Sequence, residues 1–322
     1  MTTIDSHCQR CAGGIDDTTR PRITHMADGG LETTLLFLHG LDLPDFAAFP
    51  LLDSDKGRAE LRAYYTPYLQ LAAERGLAMV LDTPTWRASA DWGIRLGYDR
   101  NELAALNRRA VVFIRNLAAD VAPTVDVVLN GAIGPRGDGY VVGEVMSIDE
   151  AASYHSLQAR AFAEANIDTI TAVTMTYVAE AIGVARAAMN AGVAVTIGFT
   201  VETDGHLPSG TPLGEAIAAV DAATGGVAGY MVNCAHPSHV ESVLAAGDEA
   251  WLSRIVAVRA NASRMSHEEL DNAPELDRGD PEVLAADYAT LGDLLPNLST
   301  VGGCCGTDSE HIAVITAALT AA

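Results

Sequence analysis

The amino-acid sequence predicts a single (β/α)8 TIM barrel, because eight apolar runs alternate with eight amphipathic stretches and no linker interrupts the alternation. Most of the runs lack a polar alternate face, which is typical of parallel strands covered on both sides. The predicted strands are 22–27, 77–83, 125–131, 167–173, 193–199, 227–233, 254–260 and 298–303. The predicted helices are 55–75, 99–119, 148–165, 178–191, 212–223, 238–246, 281–292 and 308–321.

The composition and the spacing of these elements predict one globular domain. Of the 322 residues, 49% are hydrophobic and 19% are charged, so the chain can bury a large core. We expect residues 1–20 to form a flexible N-terminal extension and residues 21–322 to form the barrel domain. Two irregular stretches, 84–98 and 261–280, follow the second and seventh strands and are long enough to shape an active-site mouth.

Charge and hydropathy exclude several kinds of partner. The net charge is −22, and Lys56 is the only lysine. Such a surface repels nucleic acid and anionic membranes, so neither is a predicted partner. The sequence has no signal-peptide pattern and no run of roughly 20 apolar residues, which predicts a cytoplasmic location. In that compartment we expect the five cysteines to be reduced and to serve in metal binding or catalysis.

Three cysteines follow strands of the predicted barrel, on the face where loops at the carboxyl ends of strands form active sites. Cys234 follows the sixth strand in "VNCAHP", and Cys304 and Cys305 follow the eighth in "VGGCCG". Neighbouring side chains in a strand point to opposite faces, so both thiols reach one ion only if the flanking glycines let the backbone turn. Three thiolates suit Zn²⁺ and leave a fourth position open, as in catalytic zinc sites.

The cysteines have alternative interpretations. Cys234, considered alone, fits a packed core residue, because cysteine is among the most buried residue types. A vicinal disulfide between Cys304 and Cys305 is possible but strained. Cys8 and Cys11 form a C-x-x-C pattern in the polar extension, which marks either a flexible tail or a second metal site.

Two polar residues at strand exits also have more than one interpretation. His236, two residues after Cys234, either supplies a fourth metal ligand or caps the next helix and lines the pocket. Asp28, followed by Gly29 and Gly30, either belongs to a substrate pocket or forms only a turn.

Four segments together resemble the homocysteine S-methyltransferase family, which consists of zinc-dependent (β/α)8 barrels. They are "ADGGLETTL", "NGAIGP", "MVNCAHP" and "VGGCCGTDSEHI", and the resemblance extends from about residue 23 to residue 321. It implies that the catalytic zinc is bound by Cys234, Cys304 and Cys305. It also implies that Asp28 contacts the amino group of an amino-acid thiol, and that other residues help to form the substrate pocket: Gly29, Gly30, Thr174 and Asn233.

The resemblance implies methyl transfer to a zinc-bound thiolate, with homocysteine as the default acceptor and methionine as the product. Relatives that use folate and cobalamin need additional domains, so a diffusible donor is expected: S-methylmethionine, S-adenosylmethionine or, less in keeping with the chain length, a betaine-like compound. Trp86 and Trp92 either face the methyl cation or close the barrel mouth. The alternative functions are methyl transfer to a different small thiol or selenol, and a non-catalytic zinc or redox-sensing barrel.

One position departs from the family pattern. Val173-Thr174 lies where the family has a Glu-Thr pair that helps to hold the substrate ammonium. We therefore expect homocysteine to bind weakly for the family, or a different thiol or selenol to be preferred. Val173→Glu is expected to improve homocysteine use, unless another carboxylate, such as Glu202, binds the ammonium instead.

Overall fold

The structure is a computed structural model that describes residues 23–320. The predicted extension, residues 1–20, lies outside the described residues, together with Cys8 and Cys11. Within the described range, eight parallel strands close into one barrel in sequence order. The predicted single TIM barrel is confirmed.

The barrel closes because β1 pairs with both β2 and β8. β1 is short, since only two residues form ladder bonds on each side, whereas the sequence predicts six. β3 and β4 have the predicted length but begin and end two residues later in the chain than predicted. The strands are β1 His25–Met26, β2 Ala78–Asp82, β3 Val127–Ile133, β4 Thr169–Met175, β5 Ala194–Phe199, β6 Gly229–Asn233, β7 Ile255–Ala260 and β8 Thr300–Gly303.

Long helices surround the barrel, and short ones lie in its connections. A single turn, α1 (Leu31–Thr33), continues into a π-helical segment at Thr34–Leu38. The remaining helices are α2 Asp55–Arg75, α3 Ala90–Arg95, α4 Arg100–Val121, α5 Ile148–Glu164, α6 Val178–Asn190, α7 Leu213–Thr224, α8 Pro237–Ala245, α9 Glu249–Leu252, α10 His267–Asp271, α11 Pro281–Leu294 and α12 Ser309–Thr320. Of these, α3 and α10 lie within the two irregular stretches predicted to shape the mouth.

Capping side chains explain where three of the helices begin. Ser147 caps α5 by accepting a hydrogen bond from the backbone of Glu150, as its spacing in the sequence indicates. At α8 the cap is the His236 ring, which accepts from the backbone N–H of Ser238. At α12 the Asp308 carboxylate accepts from the backbone N–H of Glu310. Among the described residues, no helix is both long and apolar enough to cross a membrane.

Candidate active site

Three cysteines meet at the carboxyl end of the barrel. The sulfur atoms of Cys234, Cys304 and Cys305 all lie within 4.8 Å of one another, and within residues 23–320 they form the one cluster of three or more metal-ligating side chains. Cys234 directly follows β6, and the other two directly follow β8. The exits of β6 and β8 therefore converge, as the sequence predicts.

The oxidation state of this cluster differs from the prediction. Cys234 and Cys304 are joined by a disulfide, and Cys305 is a free thiol. The two bonded residues have Cα atoms 5.4 Å apart, a usual separation for a disulfide, whereas a bond between the neighbours Cys304 and Cys305 would be strained. The expectation that all three are reduced thiols is thus wrong for this form of the protein. Burial raises the pKa of the Cys305 thiol to about 11.

Unusual backbone geometry brings the thiols together. Cys234 has a positive φ of 53°, a conformation that is costly for a residue with a side chain. Its carbonyl oxygen is surrounded by three groups that hold it in place: Asn261 Nδ2 at 3.0 Å, Thr200 Oγ1 at 3.2 Å and His267 Nε2 at 2.9 Å. After β8 the chain turns at Gly306, which has a φ of 81° and so needs glycine.

Gly29 and Gly30, which follow β1, allow the chain there to lie close to the cysteines after β8. A Cβ at Gly30 would lie 2.5 Å from the carbonyl oxygen of Cys304, and a Cβ at Gly29 would lie 2.7 Å from that of Thr307. Any side chain at either position would push the two strand exits apart. Both glycines line a cavity of about 90 Å³, and so do Asp28, Thr174, Asn233 and all three clustered cysteines. Every residue that the sequence analysis assigns to the site therefore borders one cavity.

Asp28 lies at the buried end of this cavity and already has two partners. Its Oδ1 accepts from Arg259 Nη2, and its Oδ2 accepts from the Tyr64 hydroxyl at 3.0 Å. Arg259 also donates to Asp82, so one guanidinium bridges two carboxylates. Burial raises the pKa of Asp28 to about 6; the Arg259 charge opposes this effect and the Asp82 charge adds to it. Asp28 is thus not merely a turn residue.

Two hydrogen bonds join Thr174, near the end of β4, to Asn233, at the end of β6. Asn233 Oδ1 accepts from the Thr174 backbone N–H at 3.0 Å, and Asn233 Nδ2 donates to Thr174 Oγ1 at 2.8 Å. Thr174 has a φ of 65°, so this pair of bonds maintains a strained residue at the cavity wall. Val173 also lines the cavity and presents an apolar surface there.

Tyr140 covers the free thiol. Its hydroxyl lies 3.5 Å from Cys305 Sγ, and its ring stacks on the His267 ring with the centroids 4.0 Å apart. His267 in turn lies 3.1 Å from a carboxylate oxygen of Glu202. Glu202 is therefore paired, and it does not border the inner cavity.

His236 is a helix cap rather than a member of the sulfur cluster. Its Nδ1 lies 2.8 Å from the Ser238 hydroxyl, and its Nε2 lies 3.7 Å from Asp287. Burial lowers the pKa of His236 to about 4. Of the two interpretations left open by the sequence, the structure favours the cap.

A wider outer cavity of about 370 Å³ adjoins the inner one. The two share six lining residues: Thr33, Phe46, Trp86, Thr174, Cys234 and Cys305. Aromatic side chains and carboxylates border it: Phe37, Phe46, Trp86, Tyr140, Asp138, Asp271, Glu275 and Asp277. Trp86 is held by a hydrogen bond from its Nε1 to the carbonyl oxygen of Val173, at 3.2 Å. The Arg87 guanidinium carbon lies over both tryptophan rings, 4.5 Å from the centroid of Trp86 and 3.8 Å from that of Trp92. Trp86 alone of the two borders the cavity.

Sequence reasoning missed several residues of the site: Glu32, Tyr64, Asp82, Tyr140 and Arg259. Two of them had a signal, since Arg259 directly follows the apolar run "IVAV" and Asp82 follows the run "LAMVL". A charge in a buried strand needs a buried partner. The partners of Arg259 are 177 and 231 positions away in the chain, so the pattern alone did not identify them.

The fold and the site define a class of protein: a TIM barrel with a three-cysteine cluster at the carboxyl ends of β6 and β8. The family model for homocysteine S-methyltransferase matches residues 25–319. The chain therefore belongs to the homocysteine S-methyltransferase family.

Solved structures show the same fold. The homocysteine methyltransferase MmuM from Escherichia coli, in its oxidized form, superposes with a TM-score of 0.72 at 19% identity, over 92% of this chain and 96% of that one. Its metallated form gives 0.70 at 18% identity, over 91% and 96%, and its apo form gives 0.64 at 18% identity, over 92% and 96%. A search of curated proteins found no significant match.

Proposed function

We propose that the reduced protein is a zinc-dependent thiol S-methyltransferase that moves a methyl group from a sulfonium donor to homocysteine, giving methionine. The observation that supports this most is the convergence of three sulfur atoms within 4.8 Å beside a cavity at the active face of the barrel. Membership of the homocysteine S-methyltransferase family supports the same reaction.

The donor set fits zinc. Cys234, Cys304 and Cys305 offer three soft sulfur ligands, and three protein ligands leave one position for a substrate. The disulfide must first be reduced, because a bonded sulfur is not a thiolate ligand. When bound, zinc supplies a Lewis acid that lowers the pKa of an acceptor thiol, as metals do for coordinating thiols.

The protein's own residues position the two reactants. The inner cavity is small and ends at the Asp28–Arg259 pair, so it suits a compact acceptor such as an amino-acid thiol. The outer cavity is larger, and four carboxylates border it against one cationic side chain, that of Arg87. This excess of negative charge suits a cationic donor, S-methylmethionine or S-adenosylmethionine. Because both cavities reach Cys305, the acceptor sulfur and the donor methyl group can meet there.

The reaction balances without an additional cofactor. The acceptor thiol releases its proton to solvent when it binds, and its sulfur then forms a bond to the methyl carbon. The sulfonium carbon–sulfur bond breaks at the same time, and its electron pair remains on the donor sulfur, which leaves as a neutral thioether. Tyr140, stacked on His267 beside Cys305, borders the point where the two reactants would meet.

The test is methyl transfer by reduced, zinc-loaded protein, with S-methylmethionine and S-adenosylmethionine each tried as donor. Acceptors should include homocysteine and a panel of small thiols and selenols. We expect methionine from homocysteine with at least one donor. A higher kcat/KM for another thiol or selenol would identify a different acceptor and retain the reaction class.

The Cys234–Cys304 disulfide favours one other candidate, a redox-sensing barrel without catalytic activity. Such a sensor would transfer no methyl group to any acceptor in the panel. The same assay therefore distinguishes the two functions.

A further inference from the structure

The inner cavity contains more negative than positive charge. Three carboxylates border it, those of Asp28, Glu32 and Asp82, but Arg259 is the one cationic side chain among its lining residues. Arg259 forms ion pairs with two of the three, Asp28 and Asp82. The third carboxylate, that of Glu32, is therefore left facing the space where the acceptor is proposed to bind.

Asp28 and Asp82 are already paired with the Arg259 guanidinium. Asp28 is 2% exposed, and its two oxygens accept from Arg259 and Tyr64. Asp82 is 7% exposed, and its oxygens accept from Arg259 and from Asn130 Nδ2, the latter at 2.6 Å. An ammonium group that bound Asp28 would have to compete with a guanidinium already in place.

Glu32 differs from both. It lies on the single turn α1, is partly exposed and borders the inner cavity. Apart from its own backbone amide, its carboxylate has no hydrogen-bond or ion-pair partner within residues 23–320. The nearby Arg87 is stacked on Trp92 and lies 3.8 Å from Asp138. Burial raises the pKa of Glu32 to about 7, and the Asp28 charge adds to this effect.

We propose that Glu32 binds the α-ammonium group of the acceptor thiol and thereby sets the preference of this enzyme for amino-acid thiols. The proposal rests on the proposed methyltransferase function and adds to it the residue that recognises the amino group. Glu32 borders the inner cavity and not the outer one, which assigns it to the acceptor rather than to the cationic donor. Val173, on β4, has no carboxylate for the ammonium group. Glu32, which follows β1, would supply one in its place.

The test compares two acceptors that differ only in the amino group, homocysteine and 4-mercaptobutanoate, with S-methylmethionine or S-adenosylmethionine, whichever donor the wild type uses. We expect Glu32→Gln to lower kcat/KM for homocysteine about 10- to 100-fold, because a hydrogen bond to a charged group is lost. The loss should lie mainly in the KM for homocysteine. The same variant should use 4-mercaptobutanoate within about twofold of the wild type.

Two further variants complete the design. Glu74→Gln removes an exposed carboxylate from α2 and should change kcat/KM for neither acceptor. The double variant Glu32→Ala/Val173→Glu returns a carboxylate to the cavity from β4 and should recover part of the homocysteine activity lost in Glu32→Ala. Because Glu32 already supplies one carboxylate, the gain expected from Val173→Glu belongs to that background rather than to the wild type.

The outcomes separate the two proposals. If the wild type methylates no acceptor in the panel of thiols and selenols, the methyltransferase function itself fails. If it methylates other thiols or selenols but not homocysteine, the assignment of Glu32 is overturned and the reaction class stands. Two results would overturn the assignment of Glu32 while the function stands, provided that the wild type methylates homocysteine. One is that Glu32→Gln lowers kcat/KM for both acceptors equally. The other is that it raises the KM of the donor instead. Zinc content and circular dichroism of each variant verify that the fold and the metal site are intact.

Discussion

Asn233 and Thr174 fix each other through two hydrogen bonds between the ends of β6 and β4, at 3.0 Å and 2.8 Å. Both residues are 1% exposed, so neither partner can be replaced by water without rearrangement. Since Asn233 directly precedes Cys234, the same side chain connects the cavity wall to the cysteine cluster. The local backbone on both sides is strained, with a positive φ at Thr174 and at Cys234.

We predict that Asn233→Ala destabilises the protein by about 1–3 kcal/mol, because it leaves the buried Thr174 N–H and hydroxyl without partners. Methyl transfer should fall with it, since the strained residue at the cavity wall loses its support. Urea unfolding and initial rates measure the two effects. Asn190→Ala, at an exposed position near the end of α6, is the control. Unchanged unfolding of Asn233→Ala would contradict the supporting role.

Gly198 makes room for Asn233. A Cβ at this position would lie 2.6 Å from Asn233 Oδ1 and 2.9 Å from the carbonyl oxygen of Ala172. We predict that Gly198→Ala costs about 1–3 kcal/mol of unfolding free energy through overpacking and also lowers activity by displacing Asn233. Gly137→Ala, where a Cβ would meet no atom within 4 Å, should change neither quantity. Equal effects of the two substitutions, measured by thermal unfolding, would argue against this explanation.

The raised pKa of Glu32 predicts that its contribution to the unfolding free energy depends on pH. Its pKa is about 7 in the folded protein against an ordinary value of 4.5, so the folded state binds the proton more tightly than the unfolded state. The contribution of Glu32 to the unfolding free energy of the wild type therefore falls as pH rises from about 4.5 to 7. In Glu32→Gln this contribution is absent.

We accordingly expect Glu32→Gln to be more stable than the wild type at pH 8, by about 1–3 kcal/mol, with the difference vanishing below about pH 4.5. The measurement is urea unfolding of the oxidised protein across this range. The groups whose charges act on Glu32 are Asp28, Arg87 and Arg259, and Glu32 in turn acts on Cys305. All four side chains are retained in the variant, so the difference reports Glu32 together with its coupling to these groups. A stability difference that is the same at every pH would refute the prediction.

The sequence predicted the barrel because parallel strands covered on both sides leave a clear pattern of apolar runs. It also predicted the cysteine cluster, since the position of a residue at a strand exit determines its face in this fold. It predicted β1 poorly, because this strand has only two paired residues, His25 and Met26.

The polar interior of the site was the part that sequence patterns could not predict. Arg259 connects Asp28 to Asp82 across three strand exits, and no local spacing encodes such a contact. The unpartnered state of Glu32 is a consequence of that same bridge, because it emerges only when the partners of its neighbours are known. Likewise, the strained backbone at Cys234 depends on groups from three separate segments, and the disulfide depends on the distance between the ends of β6 and β8.

The most direct test of the central claim is the zinc content of the reduced protein. We predict about one zinc per chain for the wild type and for the Cys8→Ser/Cys11→Ser control, because the proposed ligands are Cys234, Cys304 and Cys305. The triple variant with serine at those three positions should retain the barrel by circular dichroism and bind no stoichiometric zinc. One zinc per chain persisting in the triple variant, or none in the reduced wild type, would contradict the account.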